Sequence, residues 1–192
     1  MLSSARNSQE SRERLRVERV DTQGRATGLT ATVHEAHTRD GGLLHRAFSV
    51  MLVNDRGEAL LQRRAGTKRR FPGLWSNTCC GHPAPGEAPA DAARARLAEE
   101  LGIRAGALSP AGTFVYRAED PGSGYVEHEY DHVLVGRFEG DAPAVDPDEA
   151  SEVAWRSPAE ILRDLDGPGS ASYTPWLRQV VEATCRLRKG NA

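Results

Sequence analysis

An α+β fold, a mixed β-sheet packed between helices, is the architecture that this sequence of 192 residues predicts. Three observations carry it. Short alternating segments rich in β-branched residues are joined by Asp, Asn and Gly turns, as antiparallel hairpins require. A few helix signals are interspersed among those hairpins. Apolar residues make up 39% and charged residues 27% at a net charge of −2, enough to build one core and too apolar for wholesale disorder. The length suits a single domain over residues 17–192, behind a flexible polar tail over residues 1–16 that is rich in Ser, Arg and Glu.

Val17–Val20 reads as a short strand that turns at Asp21-Thr-Gln-Gly24, with Ala26–Val33 returning antiparallel. Thr38–Gly42 is a polar loop. Arg46–Val53 is an apolar run, a buried strand stopped by the turn Asn54-Asp-Arg-Gly57, and Glu58–Arg63 is its hairpin partner. Gly73–Pro89 is so dense in Pro and Gly that it reads as an irregular loop, and long loops in compact domains are usually functional. Ala90–Leu101 is the clearest helix: alanines fill it, Asp91 lies in its first turn and Gly102 stops it. Strands follow at Gly112–Arg117, His128–Phe138 and Ser151–Arg156. Ser157-Pro-Ala-Glu160 opens a helix with a capping box, and Thr174-Pro175 starts a last helix that runs to about Arg188.

Composition excludes several classes of function. No apolar run reaches the roughly 18 residues of a membrane span, and the polar N-terminus lacks a secretory core. Three cysteines cannot all pair, and Cys79 and Cys80 are adjacent, so free thiols in a reducing cytoplasm are expected. The net charge gives no broad basic surface for nucleic acid.

Metal-type side chains concentrate at His34, His37, His45, His82, Glu127, His128, Glu129 and His132. On a strand, Glu127 and Glu129 share one face and repel unless a cation or proton lies between them; a solvated acidic edge is the plainer alternative. In Trp75-Ser-Asn-Thr-Cys-Cys-Gly-His-Pro83, Cys80 is a candidate nucleophile, acid/base or metal ligand, and Cys79 an inert buried thiol. Gly81-x5-Glu87 followed by Glu99-Glu100-x-Gly102-Ile103 resembles a Nudix box, but the box's Arg-Glu pair falls on Ala95-Arg96, which argues against nucleoside-diphosphate hydrolysis. Arg64, Lys68, Arg69 and Arg70 form either a solvated basic turn or a grip for a diphosphate.

With these pieces in place, the stretches Leu44–Val50, Phe71–Pro83 and Tyr125–Asp131 make the sequence similar to the type I isopentenyl-diphosphate isomerases from about Val17 to the last helix. The resemblance implies a Nudix-like sheet sandwiched between helices. It also implies a reaction that shifts the double bond of a five-carbon isoprenoid diphosphate by protonation to a tertiary carbocation and deprotonation of the neighbouring carbon. Residue by residue, Cys80 and Glu129 match the catalytic thiol and carboxyl, Tyr116 a tyrosine beside that carboxyl, and Trp176 a tryptophan that faces the cation. His37, His45, His82, Glu127 and Glu129 match the ligands of a manganese or zinc ion. Cys80, through its carbonyl, and Glu100 match a magnesium site, and Arg64, Lys68 and Arg96 match diphosphate contacts. His34 is the alternative to His37 as first ligand; Glu35-Ala-His37 favours the latter. A lysine of the family, four residues before that histidine, falls on Val33 or Thr30, so one phosphate contact is missing here. The resemblance further implies a monomer, and with the composition, charge and cysteine content above the expectation is a cytoplasmic protein with no membrane or nucleic-acid partner. A Nudix-type diphosphate hydrolase and a catalytically silent metal-binding homologue are the alternatives.

Overall fold

A computed structural model describes residues 10–39, 41–140 and 142–190. Among these the strands are β1 (Arg16–Val20), β2 (Ala26–Thr32), β3 (His45–Val53), β4 (Ala59–Arg64), β5 (Trp75–Ser76), β6 (Cys79–Gly81), β7 (Leu108–Glu119), β8 (Val126–Arg137) and β9 (Ala150–Arg156). The helices are α1 (Val33–His37), α2 (Pro89–Leu101), α3 (Pro158–Asp166) and α4 (Leu177–Gly190), with a 3-10 turn at Pro168–Ser172 before the last. The strands form one mixed sheet with β3 at its centre. β6 pairs antiparallel to β3, and β8 pairs parallel to it along its whole length, from His45 opposite Glu129 to Val53 opposite Arg137.

Alternation along β3 explains the sandwich. Phe48, Val50 and Leu52 pack with Leu97 and Leu101 of α2, whereas Met51 and Val53 pack with Leu177, Val180 and Val181 of α4 and Ile161 of α3. A strand buried on both faces must be apolar throughout, which is why Arg46–Val53 lacks polar alternation. Gly102 ends α2 in the left-handed conformation at φ 64°, its N–H bonded to the Ala98 carbonyl, the geometry that favours glycine at that cap. The Ser157–Glu160 capping box is present at α3.

Four local expectations differ from what is found. The Gly73–Pro89 loop holds β5 and β6, because their partners lie far away in sequence on β4 and β3 and outweigh the local Gly/Pro signal. Val33 leaves β2 to start α1, capped by Thr32 and Glu35 in a reciprocal capping box. β7 runs further at both ends than Gly112–Arg117, with a register shift at Pro110/Gly112 that absorbs both residues. Of the segment expected to be a flexible tail, residues 1–9 lie outside the described residues, while residues 10–13 form a helical turn and Arg16 opens β1. Charge holds that turn: Arg12 pairs with Glu149, and Arg70 donates to Glu13 at 2.8 Å.

Candidate active site

One cavity of about 550 Å³ is lined by Cys80, His82, Tyr116, Glu127, Glu129 and Trp176 at one end and by Arg64, Lys68, Arg96, Glu100 and Glu149 at the other. Strand periodicity aims the first group. On β6, Cys79 turns into the core against α2, fully buried, and Cys80 turns the opposite way into the cavity. Gly81 follows because a Cβ there would lie 2.8 Å from the Phe48 ring. On β8, Glu127, Glu129 and Asp131 all face inward, as their i, i+2 spacing requires, and each is less than a tenth exposed.

Four ligand-type atoms, one each from His37, His45, His82 and Glu129, lie within 4.8 Å of one another. Helical spacing selects His37: Val33, Ala36 and His37 form the buried face of α1, while the His34 side chain is half exposed and 3.9 Å from Glu13. Backbone carbonyls orient two of the rings. The His37 Nδ1–H donates to the Val33 carbonyl at 2.6 Å, and the His45 Nδ1–H to the Leu43 carbonyl at 2.7 Å, so both Nε2 atoms point inward. The His45 Nε2 is buried and makes no hydrogen bond. A buried nitrogen left bare beside a carboxylate and two other imidazoles fits a divalent ion. Glu127 touches this group through the His37 Nε2, at 2.8 Å.

The electrostatics follow from burial and these contacts. Burial works to lower the His37 pKa, but the Glu127 carboxylate outweighs it and raises it to about 9. Burial keeps His82 neutral, lowered to about 4. Glu129 resists burial and stays well below the usual carboxylate range because the His82 Nε2–H donates to it at 2.8 Å and the His45 and His37 rings stand beside it at 3.6 and 3.9 Å. The Cys80 thiol is pushed up to about 12 by burial and by the nearby Asp131 carboxyl, so it is a thiol at neutral pH. Its Sγ donates to the Asn77 Oδ1 at 3.2 Å, and the same oxygen accepts the Trp176 Nε1–H at 3.1 Å. The Tyr116 hydroxyl donates to the Glu129 Oε2 at 2.7 Å, and its ring lies 5.6 Å from that of Trp176. Phe71, held at a left-handed φ of 47° that a bulky side chain rarely adopts, sets its ring edge-on to Trp176 at 5.3 Å.

At the other end Arg96 pairs with Glu100, which also accepts from the Gln62 Nε2 at 3.4 Å. Glu149 is nearly buried and accepts from the Lys68 Nζ at 2.6 Å and from Arg96 at 3.4 Å. Arg64 donates to the carbonyls of Phe71 and Arg70 and stands 5.7 Å over the Trp176 ring. The two candidate positions of the missing lysine bring no charge; Val33 is apolar and buried. Of the metal-type side chains singled out from the sequence, His37, His45, His82, Glu127 and Glu129 come together here, whereas His34 is half exposed, His128 bonds the Gly42 carbonyl and His132 lies against Arg46. Sequence reasoning missed Ser49, Asn77, Asp131, Glu149 and Arg12. Asp131 shared the i, i+2 face of β8 and was findable on that ground; the others join the site only through long-range pairing.

Comparison with known proteins agrees with this geometry. A NUDIX domain model matches residues 43–177. The isopentenyl-diphosphate Delta-isomerase of Nocardia farcinica is 55% identical over 166 residues, 86% of this chain and 92% of that protein. The one from Halorhodospira halophila is 48% identical over 163 residues, 85% and 91% of the two chains. Among solved structures, DR0079 from Deinococcus radiodurans superposes with a TM-score of 0.68 at 20% identity, covering 87% of this chain and 97% of its own, a likeness of fold. By sequence, fold and the lining of its one described acid–thiol cavity, this chain belongs to the isopentenyl-diphosphate Delta-isomerase family, built on the NUDIX domain.

Proposed function

We infer that this protein interconverts isopentenyl diphosphate and dimethylallyl diphosphate. The observation that carries the reading is the convergence of a neutral thiol, Cys80, and a carboxylate, Glu129, on one cavity from strands on different edges of β3. A 1,3-shift of a double bond needs one group to deliver a proton to an alkene carbon and another to remove one from the neighbouring allylic carbon. Glu129, with Tyr116 hydrogen-bonded to it, serves one carbon, and Cys80 serves the other. Because the reaction is reversible, the two exchange roles with its direction. The Trp176 face stabilises the tertiary carbocation between the two steps, an attraction worth roughly 2 kcal/mol or more in a dry site. The aromatic wall of Phe71, Tyr116 and Trp176 keeps out water that would trap the cation as an alcohol.

The histidine group with Glu129 suits manganese or zinc, and Glu127 belongs to the same centre through His37. Such an ion, when bound, would withdraw charge from Glu129 and so make a proton that this carboxylate has taken up readily available to carbon. Glu100 and the Cys80 carbonyl suit magnesium, which accompanies a diphosphate held by Arg64, Lys68 and Arg96. The free thiols of Cys79, Cys80 and Cys185 support a reducing cytoplasm. No helix among the described residues is long and apolar enough to cross a membrane.

The test is incubation with isopentenyl diphosphate and magnesium in deuterium oxide. Deuterium should appear in the allylic product. Release of phosphate without isomerisation would instead revive the hydrolase, and neither outcome in properly metallated protein would leave a silent homologue.

A further inference from the structure

We propose that Arg12, in the segment ahead of the first strand, is a further substrate-binding residue, closing over the diphosphate from the mouth of the cavity. The inference rests on the isomerase reading above and extends it to a part of the chain for which the sequence offered no role.

Charge at the diphosphate end carries the argument. Glu149 is 5% exposed, and its two oxygens receive Arg12, the Lys68 ammonium at 2.6 Å and Arg96 at 3.4 Å. One carboxylate thus gathers three cations. Arg64 adds a fourth and donates there to backbone carbonyls. Against these stand Glu149, Glu100 and Glu99, the last 3.7 Å from Arg12 and 2.7 Å from Arg96, so four cations face three carboxylates and this end of the cavity keeps a positive surplus suited to an anion. Two of the three cations on Glu149 are residues proposed above to hold the diphosphate, so a phosphate that reaches Lys68 and Arg96 comes within reach of Arg12 as well.

Arg12 is also the member of that trio best placed to exchange partners. Its side chain is 31% exposed, against 20% for Lys68 and 19% for Arg96. If Arg12 leaves Glu149 for a phosphate, Lys68 and Arg96 still satisfy the buried carboxylate. The segment is pinned where it stands. The Leu15 N–H donates to the Arg12 carbonyl at 3.0 Å, the Val33 N–H donates to the Leu15 carbonyl at 2.8 Å, and Glu13 holds Arg70. Arg12 is therefore held near the site before substrate arrives, which lowers the entropy cost of binding. Its planar fork matches two phosphate oxygens at once. Arg16 also borders the cavity, but its guanidinium is taken up by the Thr30 hydroxyl on the exposed face of β2.

Arg12→Gln should raise KM for isopentenyl diphosphate by about tenfold or more, the loss of one charge-assisted contact, with kcat within about twofold of the parent. The Kd for inorganic diphosphate with magnesium, read by calorimetry, should rise in parallel. Arg12→Lys keeps the charge but not the fork and should fall between the two. Arg25→Gln, which removes an exposed arginine paired with Asp21, should change neither constant. Unchanged KM and Kd in Arg12→Gln would overturn the assignment, as would a fall in kcat at constant KM. If Arg12→Gln does not fold, Arg12→Lys decides: a Kd equal to the parent's overturns the inference and a raised one supports it. A parent protein that binds inorganic diphosphate but does not isomerise would refute the functional reading, leaving the calorimetric arm to judge Arg12 by itself.

Discussion

Metal binding at the histidine group should release about one proton at pH 7, and that proton should come from His37. The ring is fully buried, with Nδ1 committed to the Val33 carbonyl and Nε2 facing the Glu127 carboxylate at 2.8 Å and that of Glu129 at 3.9 Å. Burial and Arg70, 3.4 Å from Glu127, oppose protonation, yet the carboxylates prevail and His37 titrates at about 9. An imidazolium cannot bind a metal, so at pH 7 the proton must leave first, two pH units below its pKa. That weakens apparent affinity by about 100-fold relative to the fully deprotonated ring, or about tenfold per pH unit below the pKa. His82 is already neutral and Glu129 already ionised at pH 7, so neither adds a proton. The assay is manganese or zinc titration by calorimetry in buffers of differing ionisation enthalpy, between pH 6.5 and 8.5. Affinity that is flat across this range, with no proton released, would refute the reasoning.

The same group sets the sign of the stability profile in metal-free protein. A histidine raised from 6.5 to about 9 contributes its full stabilisation below pH 6.5 and loses it as pH rises through 9. The displacement corresponds to about 3 kcal/mol, so urea unfolding of chelator-treated protein should show stability falling over that window. Cys80→Ala should abolish isomerisation while near-UV circular dichroism stays native, since only a partly buried thiol is lost; normal turnover would reject the assigned mechanism. Trp176→Leu should lower kcat by on the order of 30-fold, the rate equivalent of a cation–π contact of roughly 2 kcal/mol, with a smaller change in KM. Leu97→Ala, at a fully buried site between α2 and the sheet, should cost about 2–5 kcal/mol in denaturant unfolding and leave KM unchanged.

How much of this was legible in the sequence depended on whether the signal was local. The Glu127-x-Glu129 pair could be read because a strand's period is two and both carboxylates lie on one continuous segment. The helix at Ala90–Leu101 could be read because propensity and its glycine stop act within a few residues. β5 and β6 could not, since their conformation is imposed by β4 and β3 through pairings with no local trace. α1 was missed although the capping box Thr32-x-x-Glu35 was written in the sequence, because five residues are too few to show helical periodicity. That omission mattered: only the helix places His37 inward and His34 outward. Arg12 and Glu149 were illegible for the same reason as β6, being 137 residues apart and joined only by the fold.

The altered box on α2 sets this chain apart from a hydrolytic Nudix box at the position of Arg96. A hydrolytic Nudix site is built to gather carboxylates around metal and water at this helix. Here the position that would supply one of them is Arg96, which neutralises Glu100 and reaches Glu149. Replacing a negative group by a positive one moves the local charge by two units toward holding a diphosphate and away from activating water against it. The reactive groups proposed here lie elsewhere, on β6 and β8, where a thiol, a carboxylate and an aromatic wall border one cavity. Arg96→Glu should therefore not restore hydrolysis. It would set a carboxylate beside Glu100 and Glu149 with Lys68, Arg64 and Arg12 as the remaining cations, raise KM for the diphosphate steeply, and release no phosphate. Phosphate release by that variant, measured colorimetrically with magnesium and isopentenyl diphosphate, would mean that the helix alone decides the chemistry and that the strand-borne groups are dispensable to it.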